Sequence, residues 1–213
     1  MATQTVADKR AHWDTVYETK SPDSLSWFQP SLRLSLKLIG VTGIPRDAAI
    51  IDVGGGASTL VDDLLSQEFS DLTVLDISPK ALYQTKNRLG VRANGVRWIE
   101  RDITELDTWE FTYDLWHDRA VFHFLTKDQE RKSYCDAMQR LIRPGGFAII
   151  ATFGPNGPLK CSGLDTVRYA PETLQEKIGD AFELIASQTE HHRTPAGVPQ
   201  EFVYFLLKKS KPQ

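Results

Sequence analysis

Apolar residues along this chain come in short runs that stop abruptly at acids or glycines. Ile50-Ile51-Asp52-Val53 stops at Gly54-Gly55-Gly56, and Leu72-Thr73-Val74-Leu75 stops at Asp76. Val96-Arg97-Trp98-Ile99 leads to Asp102, Tyr113-Asp114-Leu115-Trp116 leads to His117-Asp118, and Phe147 to Phe153 follows the turn Arg143-Pro144-Gly145-Gly146. Runs this short, bounded by turn residues, read as buried strands. Stretches with helical spacing separate them: Ser58–Glu68, then Pro79–Leu89 opened by Ser78 as N-cap, then Asp128–Ile142. Pro30–Ile39 has apolar residues at 32, 34, 36, 38 and 39, which fits alternation. Its place ahead of the first strand and the Gln29-Pro30 start favour a helix instead. Alternating strands and helices demand an α/β fold, a doubly wound and mostly parallel sheet with helices on both faces. A turn-rich stretch from Gly154 to about Tyr169 then breaks the rhythm. After a helix near Pro171–Gly179, Phe182–Glu190 and Glu201–Lys208 flank a Pro/Gly segment as a long antiparallel hairpin.

The segment Ile50–Thr59 carries the most chemistry. A buried strand turns through three glycines into a helix, so no side chain obstructs a ligand lying across the turn. The helix N-terminus offers unpaired N–H groups for a carboxylate or phosphate. Two nucleotide readings compete. A dinucleotide fingerprint wants G-x-G-x-x-G, and Thr59 stands at the third glycine position. Asp52, two places before Gly54, suits a ligand with positive charge near the turn. S-adenosylmethionine (SAM), with its carboxylate, ammonium and sulfonium, matches that better than a pyrophosphate does. Asp76 at the tip of the second run, with Ile77 beside it, can accept both hydroxyls of a ribose. It is expected to lie outside the core. Asp102 can accept from an adenine amino group with Ile103 packed on the ring, although Glu100 and Asp107 are neighbouring acids.

These motifs, with His12-Trp13-Asp14-x-x-Tyr17 and Ser26-Trp27-Phe28-Gln29 ahead of them, resemble the class I SAM-dependent methyltransferases over nearly the whole chain. The N-terminal pattern is similar to a subgroup of small, single-domain, bacterial-type members that methylate small molecules or protein lysines. The resemblance implies a Rossmann-like seven-stranded sheet closed by an antiparallel strand, with SAM as cofactor and S-adenosylhomocysteine as product. It implies a cofactor site made of Asp52, Gly54, Gly55, Gly56, Asp76, Ile77, Asp102, Ile103 and His117. An N-terminal arm, residues 1–30, is expected to fold over it as a lid through Trp13 and Trp27. His117 is the catalytic candidate, either orienting the methionine amino group through its carbonyl or taking a proton from substrate. The loop 154–170, with Cys161, Arg168 and Tyr169, is expected to select substrate.

With 213 residues the chain fits one domain, and a net charge of -3 gives no overall electrostatic reason to bind nucleic acid. No run reaches membrane-spanning length, and the polar first twelve residues are unlike a signal peptide, so a cytoplasmic protein is expected. Two cysteines form no zinc or redox pattern, and no histidine pair has the spacing of a helical metal site. His123 is expected to be a satisfied core or surface histidine, and His191-His192 to be solvent-exposed. The expected activity is methyl transfer from SAM to a small-molecule acceptor by in-line displacement. The alternatives are a protein lysine methyltransferase and a SAM-binding regulator without turnover.

Overall fold

The computed structural model describes residues 5–106 and 109–211; Asp107 and the first four residues of the arm lie outside them. In chain order the elements are α1 (Val6–Thr19), α2 (Arg33–Thr42), β1 (Ala49–Val53), α3 (Leu60–Ser66), β2 (Asp71–Asp76), α4 (Pro79–Leu89), β3 (Val96–Glu100), β4 (Tyr113–Arg119), α5 (Asp128–Leu141) and β5 (Ile142–Phe153). There follow β6 (Lys160–Cys161), β7 (Leu164–Asp165), α6 (Pro171–Ile178), β8 (Phe182–Arg193) and β9 (Pro199–Lys209).

Seven strands form one sheet in the order β3-β2-β1-β4-β5-β9-β8, and β6 pairs only with β7. All neighbours are parallel except β9, which is antiparallel to β5 and β8. Adjacent strand residues point to opposite faces, and this sheet uses both. Ile51, Val53 and Trp116 pack with Tyr134, Met138 and Leu141 of α5 and Leu174 of α6. Ile50, Val74 and Leu115 pack on the other face with Leu38 of α2, Leu60 and Leu64 of α3, and Leu82 of α4. A third cluster joins Val16, Tyr17 and Leu25 of the N-terminal segment to Ala57 and Ala81, with Trp13, Trp27 and Phe28 against it.

The doubly wound sheet and its closing hairpin match the expectation, as does the helix in the ambiguous segment, although α2 starts at Arg33, after Leu32. One local expectation fails. Arg143-Pro144-Gly145-Gly146 is no turn ahead of the fifth strand: it runs inside β5 as an irregularity, with Tyr113 opposite Ile142 and Leu115 opposite Phe147. Gly145 absorbs the extra residues at φ +81°.

Candidate active site

The chain leaves β1, winds outward through β2 and β3, and returns to β4 on the other side of β1. The carboxyl ends of β1 and β4 therefore flank the point where strand order reverses, where an open α/β sheet leaves a crevice. A cavity of about 160 Å³ lies there. Its walls include Asp52, Gly54, Gly55, Asp76, Ile77, Asp102, Ile103, His117, Trp13 and Trp27, ten of the eleven residues picked from sequence.

Gly56 is the exception. It lies below the cavity, where its N–H donates to Asp76 Oδ2 at 3.0 Å and its carbonyl accepts from Thr85 at 2.5 Å. A Cβ there would sit 2.4 Å from Ala81 Cβ, so glycine is needed for packing on α4. Gly54 adopts φ +67°, and a Cβ would meet Val121 Cγ2 at 2.0 Å. At Gly55 a Cβ would meet Asp52 Oδ2 at 2.3 Å. The glycine turn thus holds three different close approaches.

The three acids are held differently. Asp76 is buried, and its two oxygens accept from the N–H groups of Gly56 and Ser78, the latter at 2.8 Å. Burial pushes its carboxyl up to about 6, against those two bonds and with the Asp52 charge adding to the rise. The expectation that Asp76 lies outside the core is corrected by these bonds: it ties the glycine turn to the start of α4. Asp102 follows the end of β3. Its Oδ1 accepts from the backbone and hydroxyl of Thr104, and its Oδ2 pairs with Lys9 of α1 at 3.4 Å. Asp52 Oδ1 pairs with His117 Nδ1 at 2.7 Å, while Asp52 Oδ2 is buried with no hydrogen-bond partner.

His117 has its other nitrogen, Nε2, 2.8 Å from Ser35 Oγ. With both ring nitrogens engaged, the side chain has no free lone pair for a substrate proton, and the base role considered from sequence loses its geometry. Its neighbours Trp116 and Asp118 point to the opposite face. Trp116 Nε1 and Asp118 Oδ2 both bond the Tyr134 hydroxyl, at 2.8 and 2.7 Å. Asp118 also accepts from the N–H groups of Val121 and Phe122, and burial raises its carboxyl to about 6.

The arm covers the cavity. Trp13 meets Trp27 edge-on at 5.8 Å and Phe124 at 5.1 Å, and Tyr17, Leu25 and Phe28 complete an apolar wall. Sequence reasoning missed what holds the arm in place. Arg119, at the end of β4, donates to the Trp27 carbonyl at 2.8 Å and the Tyr204 hydroxyl at 2.8 Å, and pairs with Glu190 at 3.5 Å. His192, expected in solvent, is 4% exposed; its Nε2 lies 2.7 Å from the Ser26 carbonyl and therefore carries the proton. Its Nδ1 then accepts from Gln29 Nε2, which also donates to Glu190 at 3.0 Å. No local pattern marks these residues, because the partners are more than sixty positions apart in the chain.

His123 is a core histidine. Its Nδ1 accepts from the Phe153 N–H at 3.2 Å, and burial depresses it to about 3. The 154–170 loop contributes only Leu164 to the cavity. Tyr169 is buried and Arg168 reaches back to the Gly157 carbonyl, so both brace the loop. Among the described residues no three His, Cys, Asp or Glu side chains cluster to hold a metal, and no helix is long and apolar enough to cross a membrane.

Known proteins agree with this geometry. The methyltransferase domain family matches residues 51–148. Human EEF1A lysine methyltransferase 2 is 23% identical over 190 residues, covering 83% of this chain and 75% of its own. Malonyl-[acyl-carrier protein] O-methyltransferase of Paenibacillus sp. (strain JDR-2) is 25% identical over 181 residues, covering 76% of this chain and 64% of its own. Among solved structures, Burkholderia thailandensis 1,6-didemethyltoxoflavin-N1-methyltransferase, with 1,6-didemethyltoxoflavin and S-adenosylhomocysteine bound, superposes with a TM-score of 0.72 at 20% identity, covering 99% of this chain and 92% of its own. With the sheet order, the switch-point crevice and the domain match over residues 51–148 in agreement, this chain is a SAM-dependent methyltransferase built on a Rossmann-like fold.

Proposed function

We propose that this enzyme methylates a small-molecule acceptor enclosed beneath its N-terminal arm. The observation that carries this reading is the cover itself: Trp13, Tyr17, Leu25, Trp27 and Phe28 wall a cavity of about 160 Å³. An arm latched this way suits a compact acceptor and excludes water from the reacting atoms. The three carboxylates lining the cavity, Asp52, Asp76 and Asp102, are all taken up by the cofactor in this reading.

The residues present fit SAM. Asp52 Oδ2, buried and unpartnered, would accept from the ammonium. Each Asp76 oxygen keeps a second lone pair for a ribose hydroxyl after its backbone bond. Asp102 and Ile103 would hold the adenine, and the bare backbone of Gly54 and Gly55 would lie along the methionine part. SAM supplies a methyl group already activated by a sulfonium leaving group. The protein's share is then to orient the acceptor behind that methyl at roughly 3–3.5 Å and to keep the site dry. With the His117 nitrogens engaged, an acceptor that sheds its proton easily suits the site best.

A second reading, transfer to a protein lysine, has support from the similarity to EEF1A lysine methyltransferase 2. Incubating the enzyme with methyl-labelled SAM and cell lysate, followed by size fractionation, separates the two. Label in the small-molecule fraction is expected. Label confined to protein would overturn the reading, and no labelled product in either fraction would favour a SAM-binding regulator.

A further inference from the structure

We propose that His117 and Ser35 act as positioning residues that fix the orientation of Asp52, and through it the amino-acid end of SAM. The inference rests on the reading of Asp52 as the ammonium ligand. Strand register sets up the first contact: Asp52 of β1 and His117 of β4 are directly paired across the switch point. In-register residues of neighbouring parallel strands face the same side, here the side covered by α2. Ser35 comes down from that helix.

The bonding order follows from the chemistry of the groups. An ionised carboxylate only accepts, so His117 Nδ1 carries the proton to Asp52 Oδ1 at 2.7 Å. The other ring nitrogen, Nε2, is hydrogen-bonded to Ser35 Oγ, 2.8 Å away. One end of Asp52 is thereby anchored while Oδ2 stays unpartnered beside Gly55.

Two features argue against mere packing. Ser35 is fully buried on the apolar face of α2, beside Leu34, Leu38 and Ile39. A hydroxyl there costs stability unless it is hydrogen-bonded, and the partner it meets is the His117 ring. Likewise, a fold needing only strand pairing at position 117 gains nothing from an imidazole that is 1% exposed. What the arrangement does provide is a carboxylate that cannot rotate, with one oxygen reserved for a cation. An unanchored carboxylate turns freely about its last torsion and spreads its acceptor over several directions.

The test is calorimetric binding of two probes to the whole protein: S-adenosylhomocysteine, and 5′-methylthioadenosine, which lacks the amino-acid end. His117→Ala should weaken S-adenosylhomocysteine about tenfold to a hundredfold, the scale of one charge-assisted hydrogen bond. Binding of 5′-methylthioadenosine should change by less than about threefold, since no bond to it is touched. His117→Asn, whose amide N–H can replace Nδ1–H, should recover most of the lost affinity. Ser35→Ala should show a smaller loss of the same selective kind, and it carries the comparison if His117→Ala does not fold. Equal loss of both probes, or unchanged S-adenosylhomocysteine affinity, would overturn the proposal. A wild-type protein binding 5′-methylthioadenosine but not S-adenosylhomocysteine would instead overturn the reading of Asp52 itself.

Discussion

At Asp76 one carboxylate serves the glycine turn, the start of α4 and, in the proposed site, the ribose. Asp76→Ala would leave the buried N–H groups of Gly56 and Ser78 without partners, each worth roughly 1–3 kcal/mol. Removal of a desolvated charge offsets part of that. The expected outcome is abolished cofactor binding together with a destabilisation on the order of 1–3 kcal/mol by denaturant titration; an unchanged midpoint would show that the backbone bonds are dispensable. The pH dependence has a definite sign. With its carboxyl raised from 3.8 to about 6, Asp76 takes up a proton as pH falls through 6 and stops being a double acceptor. S-adenosylhomocysteine affinity should therefore be flat above pH 7 and fall below 6. The fold should survive that range. A raised acid contributes stability below its unfolded pKa and loses it as pH rises through 6, so Asp76 and Asp118 favour the folded state in mild acid. His123, held neutral down to about 3, works in the opposite direction below 6.5. The residues legible in sequence were those whose role follows from a strand tip or a turn: Asp52, Gly54, Asp76, Asp102. Illegible were Ser35, Arg119 and His192, whose meaning depends on contacts between distant segments.

Among the elements, the strands and helices of the central sheet could be read because period and punctuation agree there. Leu72 to Asp76 has no polar break before its terminal acid, and Ser78-Pro79 states where the next helix begins. The β5 irregularity could not be read, since Pro-Gly-Gly signals a turn wherever it stands, and only pairing with β4 keeps the chain extended. The arm was legible as aromatic residues but not as a latched element. Its attachment passes through main-chain carbonyls of Ser26 and Trp27, which any sequence possesses. His192→Leu removes one of those bonds and one of the two acceptors of Gln29, leaving Glu190. Trypsin cleavage after Lys20 should then accelerate, and S-adenosylhomocysteine should slow it again by closing the arm on its ligand. Cleavage at the wild-type rate would mean that Arg119 and the arm's packing on α4 hold it without His192.

For the whole molecule, the cavity draws on α1, the β1 and β2 turns, the β3 and β4 tips and the segment before α2. A ligand contacting so many elements should stabilise the fold globally. At a hundredfold excess over its dissociation constant, S-adenosylhomocysteine should add about 2.7 kcal/mol. For a chain of this length that raises the melting temperature by about 5–10 °C. NAD at the same concentration should give no shift, and an equal shift would reopen the dinucleotide reading of the glycine turn. The latch has one more consequence, which concerns the order of synthesis. The arm leaves the ribosome well before Glu190, His192 and Tyr204, to which Arg119 and Gln29 tie it. Synthesis at about 5–20 residues per second leaves the arm without its latch for roughly ten seconds or more. Until the hairpin emerges, the arm has only its contacts with Ala57, α4 and Asp102, among them the Ser78 hydroxyl on Asp14 at 2.6 Å. A ribosome-bound chain stalled before residue 182 should thus present an arm cleaved faster than in the finished fold, and adding β8 and β9 should slow the cleavage.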